Sequence, residues 1–409
     1  MTATLTAWND AAVDAQIERM LARIVQAVRA QMVADLEAIL LAGGFGRGEG
    51  GVLRKPDGSI HIVNDFDVEI VYRESLGRLA SKLKVQFMHR RALAVLAEKL
   101  ADEFDMKQVD LTLRGLHSMA VERPRLADFD MRHGHRLLWG ATDPCDAMRR
   151  FRADEIDPFE GTWLLRNRAV GLVLARLYLE QPGALRAEHC ENFYIEINKS
   201  ALAMGDALWI LSRRYDVSYA KRKQDFSALA ALGFPGFDEL AAAYDRAAEY
   251  KLRPVEDQYP GEAPIDLWQR LAAAHVRMFL WFESARLGTS FDTVEAWCTW
   301  ADRQPRAPAG GALRRAVDRY LGASGDVPAR MAGLRQDKLG SVACAIALLS
   351  ALAAPAARGA VVLGRWRDPA SNESANEPAA WQALARGLLN VLHPGGEVGR
   401  FLRATGSGA

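Results

Sequence analysis

The chain has 409 residues, half of them hydrophobic, which exceeds one typical domain and favours two domains with buried cores. Lysine and arginine number 52 against 51 acidic residues, and this balance argues against a protein that binds mainly by covering many nucleic-acid phosphates. The cysteines, Cys145, Cys190, Cys298 and Cys344, include no Cys-x-x-Cys pair, so neither a zinc ribbon nor a disulfide framework is indicated.

The first predicted elements are a helix, a glycine-rich loop, a hairpin and a strand. Apolar residues in 9–40 recur at three- and four-residue steps, the period of an amphipathic helix, and Asn9 or Asp10 is placed to cap it. Glycines in 43–51 break this pattern. A turn at 55–58 then precedes a β-rich run over 60–72.

A further helix and two more strands complete the predicted N-terminal domain. Residues 76–104 have helical spacing, residues 106–113 alternate in the period of a strand, and residues 136–140 add a short strand. Strands are therefore concentrated before about residue 145, which indicates the α+β fold class. We expect a domain over 1–150 that contains a mixed sheet with flanking helices.

The remainder of the chain is predicted to be helical. Apolar stripes and helix-stop signals predict helices over 163–180, 191–214, 237–250, 267–287, 313–321, 338–353 and 377–392. We expect an all-α domain over 151–409. Residues 368–378 are rich in Asn, Ser, Glu and Pro and are expected to be mobile.

Two features predict a cytoplasmic protein with no membrane partner. The N-terminal residues lack the basic and long apolar blocks of a secretion signal. The most apolar later stretch, 342–354, is about as long as a buried helix and shorter than the ~20 residues that span a bilayer. A reducing compartment also fits the scattered cysteines.

The strand predicted over 60–72 contains paired carboxylates. Asp65 and Asp67 lie two residues apart, so their side chains leave the same face of a strand. A third carboxylate, Asp110, lies on the strand predicted over 106–113. Magnesium prefers hard oxygen ligands and keeps waters or phosphate oxygens in its remaining positions. The three residues therefore predict a magnesium site with room for a nucleoside triphosphate.

The glycine-rich stretch is typical of phosphate binding. Glycine lets backbone N–H groups approach phosphate oxygens closely, and a guanidinium adds a charge-assisted contact. The sequence therefore predicts that a nucleotide is bound by Gly43, Gly44, Phe45, Gly46, Arg47, Gly48 and Glu49.

Three short motifs together resemble the signature of the DNA polymerase β-type nucleotidyltransferase superfamily, in its small-molecule or protein nucleotidyltransferase branch. The motifs, which fall within roughly residues 36–115, are Gly43-Gly44 with Arg47-Gly48-Glu49, then Asp65-Phe66-Asp67-Val68, then Val109-Asp110-Leu111. Gly44 stands where many members have serine, and the gap before Asp65 is long. Neither departure removes a metal ligand.

The resemblance implies a catalytic palm followed by a helical domain, with the acceptor held between them. It implies two magnesium ions bound by Asp65, Asp67 and Asp110, and transfer of a nucleoside monophosphate, AMP if the donor is ATP, to an acceptor hydroxyl. By the same analogy Lys199 contacts the triphosphate. A small molecule or a protein is the expected acceptor, because the near-neutral charge disfavours nucleic acid as the main partner.

Simpler explanations stay open for the individual residues. A solvated strand end accounts for Asp65 and Asp67, although their apolar neighbours would make two idle carboxylates costly. A buried arginine partner would account for Asp110. Glu69 shares the strand face and is expected in a salt bridge rather than on a metal.

Other motifs point elsewhere but are less complete. Gly46-x-Gly48-x-x-Gly51 matches the dinucleotide-binding fingerprint, which requires a strand before it and a helix after it. We predict a helix before it and a turn after it, and a protein-kinase site lacks its His-Arg-Asp motif. The pair His133 and His135 has no third metal ligand nearby in the sequence and is expected at the surface or against the acceptor. The run 221–223 is expected to be a solvated basic face.

The alternative function is a nucleotide-binding sensor or interaction protein without turnover, including an antitoxin-like partner of a toxin protein. The presence of all three carboxylates favours an enzyme, because a protein that only binds a nucleotide has little need of a second metal.

Overall fold

The computed structural model describes residues 4–32, 35–63, 65–74, 78–120, 125–181, 183, 189–255, 258–304, 338–353, 382, 385–389 and 401. These residues form a mixed α+β structure with one small mixed sheet and a helical C-terminal region, as the sequence predicts. The described residues after Gly140 contain no strand.

The main sheet has four strands in the order β5-β4-β1-β6. Its strands are β1 (Leu36–Leu41), β4 (Phe66–Tyr72), β5 (Val109–Gly115) and β6 (Arg136–Gly140). β1 pairs antiparallel with β4 and with β6, whereas β4 and β5 are parallel. The strands β2 (Val52–Arg54) and β3 (Ile60–Ile62) form a separate antiparallel hairpin around the predicted turn.

The N-terminal helix is shorter than predicted. Helix α1 (Ala11–Gln31) begins after Asp10, whose carboxylate accepts hydrogen bonds from the backbone amides of Ala12 and Val13, so the predicted cap is confirmed. The predicted continuation of the helix to residue 40 is wrong, because residues 36–41 form the central strand β1. A strand buried on both faces has no polar alternation, and a short apolar run of this kind is compatible with either a helix or a strand.

The remaining helices of the N-terminal half are short except for one. They are α2 (Gly43–Gly46), α3 (Arg78–Glu103), α4 (Leu116–Ala120) and α5 (Leu126–Gly134). The C-terminal half contains α6 (Phe159–Leu179), α7 (Cys190–Leu211), α8 (Tyr219–Gln224), α9 (Phe237–Leu252), α10 (Pro264–Leu287), α11 (Val294–Arg303) and α12 (Lys338–Ala353). Short 3-10 turns occur at Pro144–Ala147, Ala153–Glu155 and Phe226–Leu232.

Most predicted helices of the C-terminal half are confirmed, with shifts of a few residues at their ends. Helix α11 was not predicted, although Thr293 caps it by accepting a hydrogen bond from the Ala296 amide. The helix predicted over 313–321 and the mobile segment predicted over 368–378 lie outside the described residues, and only part of 377–392 is described. Among the described helices, none combines the length and apolar character that crossing a bilayer requires.

The chain divides into two compact units that interleave along the sequence. The first consists of Met1–Glu160, Ser212–Ala231 and Ala242–Pro260. The second consists of Gly161–Leu211, Leu232–Ala241 and Gly261–Ala409. The single boundary predicted at residue 150 does not include the later segments, 212–231 and 242–260, that belong to the unit with the sheet.

In the first unit, the two faces of the sheet are covered by different groups of side chains. Helix α1 buries an apolar stripe against one face, which also receives Phe66, Val68 and Ile70 of β4. Each such buried side chain contributes roughly 1.5–3 kcal/mol to folding. Alternation along β4 directs Asp67 and Glu69 to the opposite face, where a smaller apolar cluster forms around Val71. Polar groups can therefore gather on that face beside a rigid sheet.

Candidate metal centre

Three carboxylates meet at one edge of the main sheet. Asp65 directly precedes β4, Asp67 lies on β4, and Asp110 lies opposite Asp67 in the register of the parallel pair β4 and β5. One ligand oxygen from each residue lies within 4.8 Å of the ligand oxygens of the other two. The structure thus brings together the three predicted metal ligands, and the prediction that the strand of Asp110 lies beside that of Asp67 is confirmed.

Asp67 is held in an electrostatically unfavourable place. Burial, together with the charges of Asp65 and Asp110, raises the pKa of Asp67 to about 7, and the charges of Lys251 and Arg47 lower it only in part. On the neighbouring strand, the Gln108 side-chain amide donates a hydrogen bond to Asp110. The negative charges of Asp65 and Asp110 therefore act on Asp67 without being fully offset by the nearby cations.

The donor set suits a hard divalent cation. All three groups offer carboxylate oxygens, the ligand type that magnesium, manganese and calcium prefer. A partly buried carboxylate with a raised pKa is stabilised as an anion when a divalent cation is bound beside it, so the residues fit the group that the sequence predicts.

The glycine-rich stretch begins against the carboxylates. The Ala42 amide donates to the Asp67 carbonyl oxygen at 2.8 Å, which ties the stretch to β4. Gly43 has a φ of +62°, and a Cβ atom at this position would overlap the Asp67 carboxylate. Only glycine accommodates both this backbone conformation and this close approach.

The elements around the glycine stretch differ from those predicted. It follows the strand β1, not a helix, and its first residues form the single-turn helix α2. The helix predicted before the stretch is therefore wrong, but a turn does follow it, as predicted. The fingerprint still fails, because it requires a parallel βαβ unit, whereas β1 and the next strand of the main sheet, β4, are antiparallel.

Several backbone amides of the stretch are already paired. The amides of Gly46, Arg47 and Gly48 donate to the backbone carbonyl oxygens of Ala42, Gly43 and Phe45, respectively, at 3.0 to 3.3 Å. Gly46 and Gly48 are packed so closely against other backbone segments that a side chain would collide with them. A phosphate contact by these three amides would have to replace or share those hydrogen bonds, and it stays a prediction. Of the predicted residues, Gly43 lies directly against the Asp67 carboxylate.

Arg47 and Glu49 also have partners inside the protein. The Arg47 guanidinium is buried, 3.8 Å from Glu49 and 4.0 Å from Asp130. The Glu49 carboxylate accepts hydrogen bonds from Ser218 Oγ at 2.7 Å and from the amides of Tyr219 and Ala220 at 2.9 and 3.0 Å. Glu49 thus caps helix α8, and its predicted contact with a nucleotide stays a prediction.

Three cations surround the ring of Tyr219. The Cζ atoms of Arg222 and Arg47 lie 3.9 and 5.6 Å from the ring centroid, and Lys251 Nζ lies 5.3 Å from it. Arg222 was predicted on a solvated face but is almost fully buried. Sequence reasoning missed Tyr219 and Lys251, because nothing in the local pattern links α8 and the end of α9 to a carboxylate pair more than 150 residues earlier.

The remaining predicted residues have defined positions. Lys199 lies on α7 in the second unit, with a half-exposed side chain 3.8 Å from Glu196, and its proposed contact with a triphosphate stays a prediction. Glu69 forms an ion pair with Arg114 at 3.2 Å, which confirms its predicted salt bridge. Arg114 also approaches Asp128 at 3.3 Å.

His133 and His135 have different surroundings. The expectation that no further metal ligand lies near them is wrong for His135. His135 Nε2 lies 2.7 Å from the Asp143 carboxylate, and Cys145 also lies within ligand distance, so further potential ligands are present after all. Burial and Asp143, however, raise the pKa of the Cys145 thiol to about 12, so that it is protonated. His135, Asp143 and Cys145 are therefore best described as a hydrogen-bonded group that fixes the turn after β6. His133 packs against Phe129.

Comparison of the chain with known protein families, with curated proteins and with solved structures finds no match.

Proposed function

We propose that the protein is a metal-dependent nucleotidyltransferase that moves a nucleoside monophosphate, with AMP as the expected group, from a nucleoside triphosphate to a hydroxyl group of a small molecule or protein. The observation that supports this best is the convergence of Asp65, Asp67 and Asp110 on adjoining strands beside Gly43. The N-terminal sheet would then be the catalytic palm that the motif resemblance implies.

Asp65, Asp67 and Asp110 would hold two magnesium ions with the triphosphate. When bound, magnesium supplies positive charge that polarises the α-phosphate and stabilises the departing pyrophosphate. Gly43 keeps side-chain atoms away from Asp67, so that phosphate oxygens have access to the same edge of the sheet. The cations around Tyr219 supply positive charge on the same unit. Catalysis would rest on positioning and charge neutralisation.

The proposed reaction is a single displacement at the α-phosphorus. The acceptor oxygen forms a bond to phosphorus while the bond from phosphorus to the oxygen that bridges to the β-phosphate breaks. Pyrophosphate leaves with that electron pair, and the acceptor proton passes to Asp110 and then to solvent. Asp110 suits this role because it lies at the edge strand of the sheet and is partly exposed.

The test is pyrophosphate release by purified protein with magnesium and each nucleoside triphosphate in turn, with cell extract as the source of acceptor. We expect release with at least one triphosphate, lost by a factor of about 100 or more in Asp67→Asn and in Asp110→Asn. Asp102→Asn, at an exposed position on α3, is the matched control and should retain activity. Tight triphosphate binding without pyrophosphate release would favour the sensor and contradict the enzyme.

A further inference from the structure

The helical second unit contains a buried cation that is not neutralised by an acid. Arg166 lies on α6 and is only 5 % exposed. Among the residues that the structure describes, no carboxylate lies within ion-pair distance of its guanidinium. Arg168 and Arg286 of the same unit do pair with acids, at 4.0 Å from Glu196 and 2.7 Å from Glu283. A buried charge without a partner is costly, so Arg166 requires an explanation.

The hydrogen bonding of Arg166 leaves one edge of the guanidinium unused. Nη1 donates a hydrogen bond to the side-chain oxygen of Asn167 at 2.6 Å. Nε is buried and has no hydrogen-bond partner. Nε and Nη2 together form the side-on edge of a guanidinium, which presents two parallel N–H groups. This edge matches the two oxygens of a carboxylate.

Two contacts on α6 hold the guanidinium in place. Its Cζ atom lies 4.7 Å from the centroid of the Trp163 ring, three residues earlier on the same helix. Asn167 holds it from the other side of the chain through Nη1. Both partners are uncharged, so they orient the guanidinium without neutralising it. A donor pair that is already oriented loses little freedom when it binds a planar anion.

The surroundings of Arg166 favour a singly charged ligand with an apolar body. Cys344 of α12 is close enough that its thiol and the Arg166 guanidinium affect each other's pKa, and burial lowers the pKa of Arg166 to about 10. Residues 342–349 of α12 are apolar and buried. One guanidinium neutralises one negative charge, and a second negative charge would itself be buried without a partner beside this helix.

We propose that Arg166 anchors a ligand site in the second unit, which takes the carboxylate of a small molecule with an apolar body. The carboxylate oxygens accept hydrogen bonds from Nε and Nη2, which supplies the missing counter-charge. The site lies in the second unit, whereas Asp65, Asp67 and Asp110 lie in the first. The inference therefore does not rest on the proposed function.

The experiment is calorimetric titration of the full chain at pH 8 with acetate, hexanoate and benzoate, and with benzamide as the uncharged counterpart of benzoate. We expect benzoate and hexanoate to bind more tightly than acetate, and benzoate to bind at least about tenfold more tightly than benzamide. Arg166→Gln should weaken benzoate binding by about tenfold or more. Arg166→Lys, which keeps the charge but loses the fork, should be intermediate.

The matched control is Arg303→Gln, which removes an exposed arginine from α11 of the same unit and should leave benzoate binding unchanged. The comparison of benzoate with benzamide needs no substitution, so it tests the proposal even if Arg166→Gln fails to fold.

Several results would overturn the proposal. Equal binding of benzoate and benzamide would show that the negative charge is not recognised. Unchanged benzoate binding in Arg166→Gln would place the anion elsewhere. Inorganic phosphate, which is doubly charged at pH 8, should bind more weakly than benzoate, and the reverse order would overturn the choice of a carboxylate. If the unsubstituted protein bound none of the carboxylates, Trp163 and Asn167 alone would suffice to hold the buried charge.

Discussion

Asp67 carries a charge that the metal-free fold stabilises poorly. It is partly buried, it lies beside two other carboxylates, and these causes raise its pKa to about 7. A carboxyl whose pKa is raised on folding contributes stability that is present below its unfolded pKa of about 4 and is lost as the pH rises toward 7. The site thus reduces the stability of the metal-free protein at neutral pH.

We therefore predict that Asp67→Asn stabilises the metal-free protein at pH 8. The expected gain in free energy of unfolding is on the order of 2 kcal/mol, and it should shrink at pH 5, where Asp67 is protonated in the folded protein. Urea denaturation in EDTA at both pH values measures it. Magnesium should stabilise the unsubstituted protein but not the variant. Equal destabilisation of Asp67→Asn at both pH values would contradict the account.

Gly43 provides a second test at the level of one side chain. Gly43→Ala places a methyl group in the space of the Asp67 carboxylate, in a backbone conformation with φ +62°. We expect a loss of about 1–3 kcal/mol of stability and the loss of Mn²⁺ binding. Gly58→Ala is the matched control, because Gly58 also has a positive φ but has open space where its Cβ would lie.

The comparison of the two glycine variants isolates the contact with Asp67. Gly58→Ala should lose stability through backbone strain alone and should bind Mn²⁺ like the unsubstituted protein. If both variants bound Mn²⁺ normally, Gly43 would have no role at the carboxylates.

At the scale of elements, helix α8 is attached to the glycine stretch by one carboxylate. Glu49 accepts hydrogen bonds from Ser218 and from the first amides of α8. We predict that Glu49→Gln costs about 1–3 kcal/mol, because the amide replaces a charged acceptor with one acceptor and one donor. Hydrogen exchange of residues 218–224 should increase, whereas that of α1 should not. Unchanged exchange in 218–224 would show that the cap is dispensable.

Only part of the site can be predicted from the sequence, because some of its elements give no local signal. Asp65, Asp67 and Asp110 were predicted from the two-residue period of strands and from local motifs. The register of β4 and β5 brings Asp67 and Asp110 together, and Asp65 directly precedes β4. Strand β1 was missed because it is buried on both faces and lacks alternation. The positions of Tyr219 and Lys251 depend on long-range packing, which local periodicity does not encode.

At the scale of the molecule, the two compact units contain buried groups with opposite pH responses. In the first unit the raised pKa of Asp67 makes folding more favourable at lower pH. In the second unit His275 is fully buried, accepts or donates hydrogen bonds with Ser200 Oγ at 2.8 Å and the Leu165 carbonyl oxygen at 2.9 Å, and has its pKa lowered by burial to about 4. In the folded protein His275 is therefore neutral near neutral pH.

We predict that the stability contributed by His275 is lost as the pH falls from about 6.5 toward 4, because the unfolded chain then binds a proton that the folded chain excludes. His275→Gln should flatten the pH dependence of unfolding over this range, whatever its effect at pH 7.5.

Asp67→Asn should instead flatten the pH dependence of unfolding in EDTA between about pH 4 and 7. Thermal unfolding across the pH series measures both slopes, and unchanged slopes would contradict the assignments.

The most direct test of the central claim is anomalous diffraction from a crystal of the full chain grown with Mn²⁺ and α,β-methylene ATP. We expect anomalous peaks within coordination distance of Asp65, Asp67 and Asp110, with the polyphosphate alongside, and no such peaks for Asp67→Asn. Manganese bound elsewhere, with these three carboxylates free of metal, would contradict it.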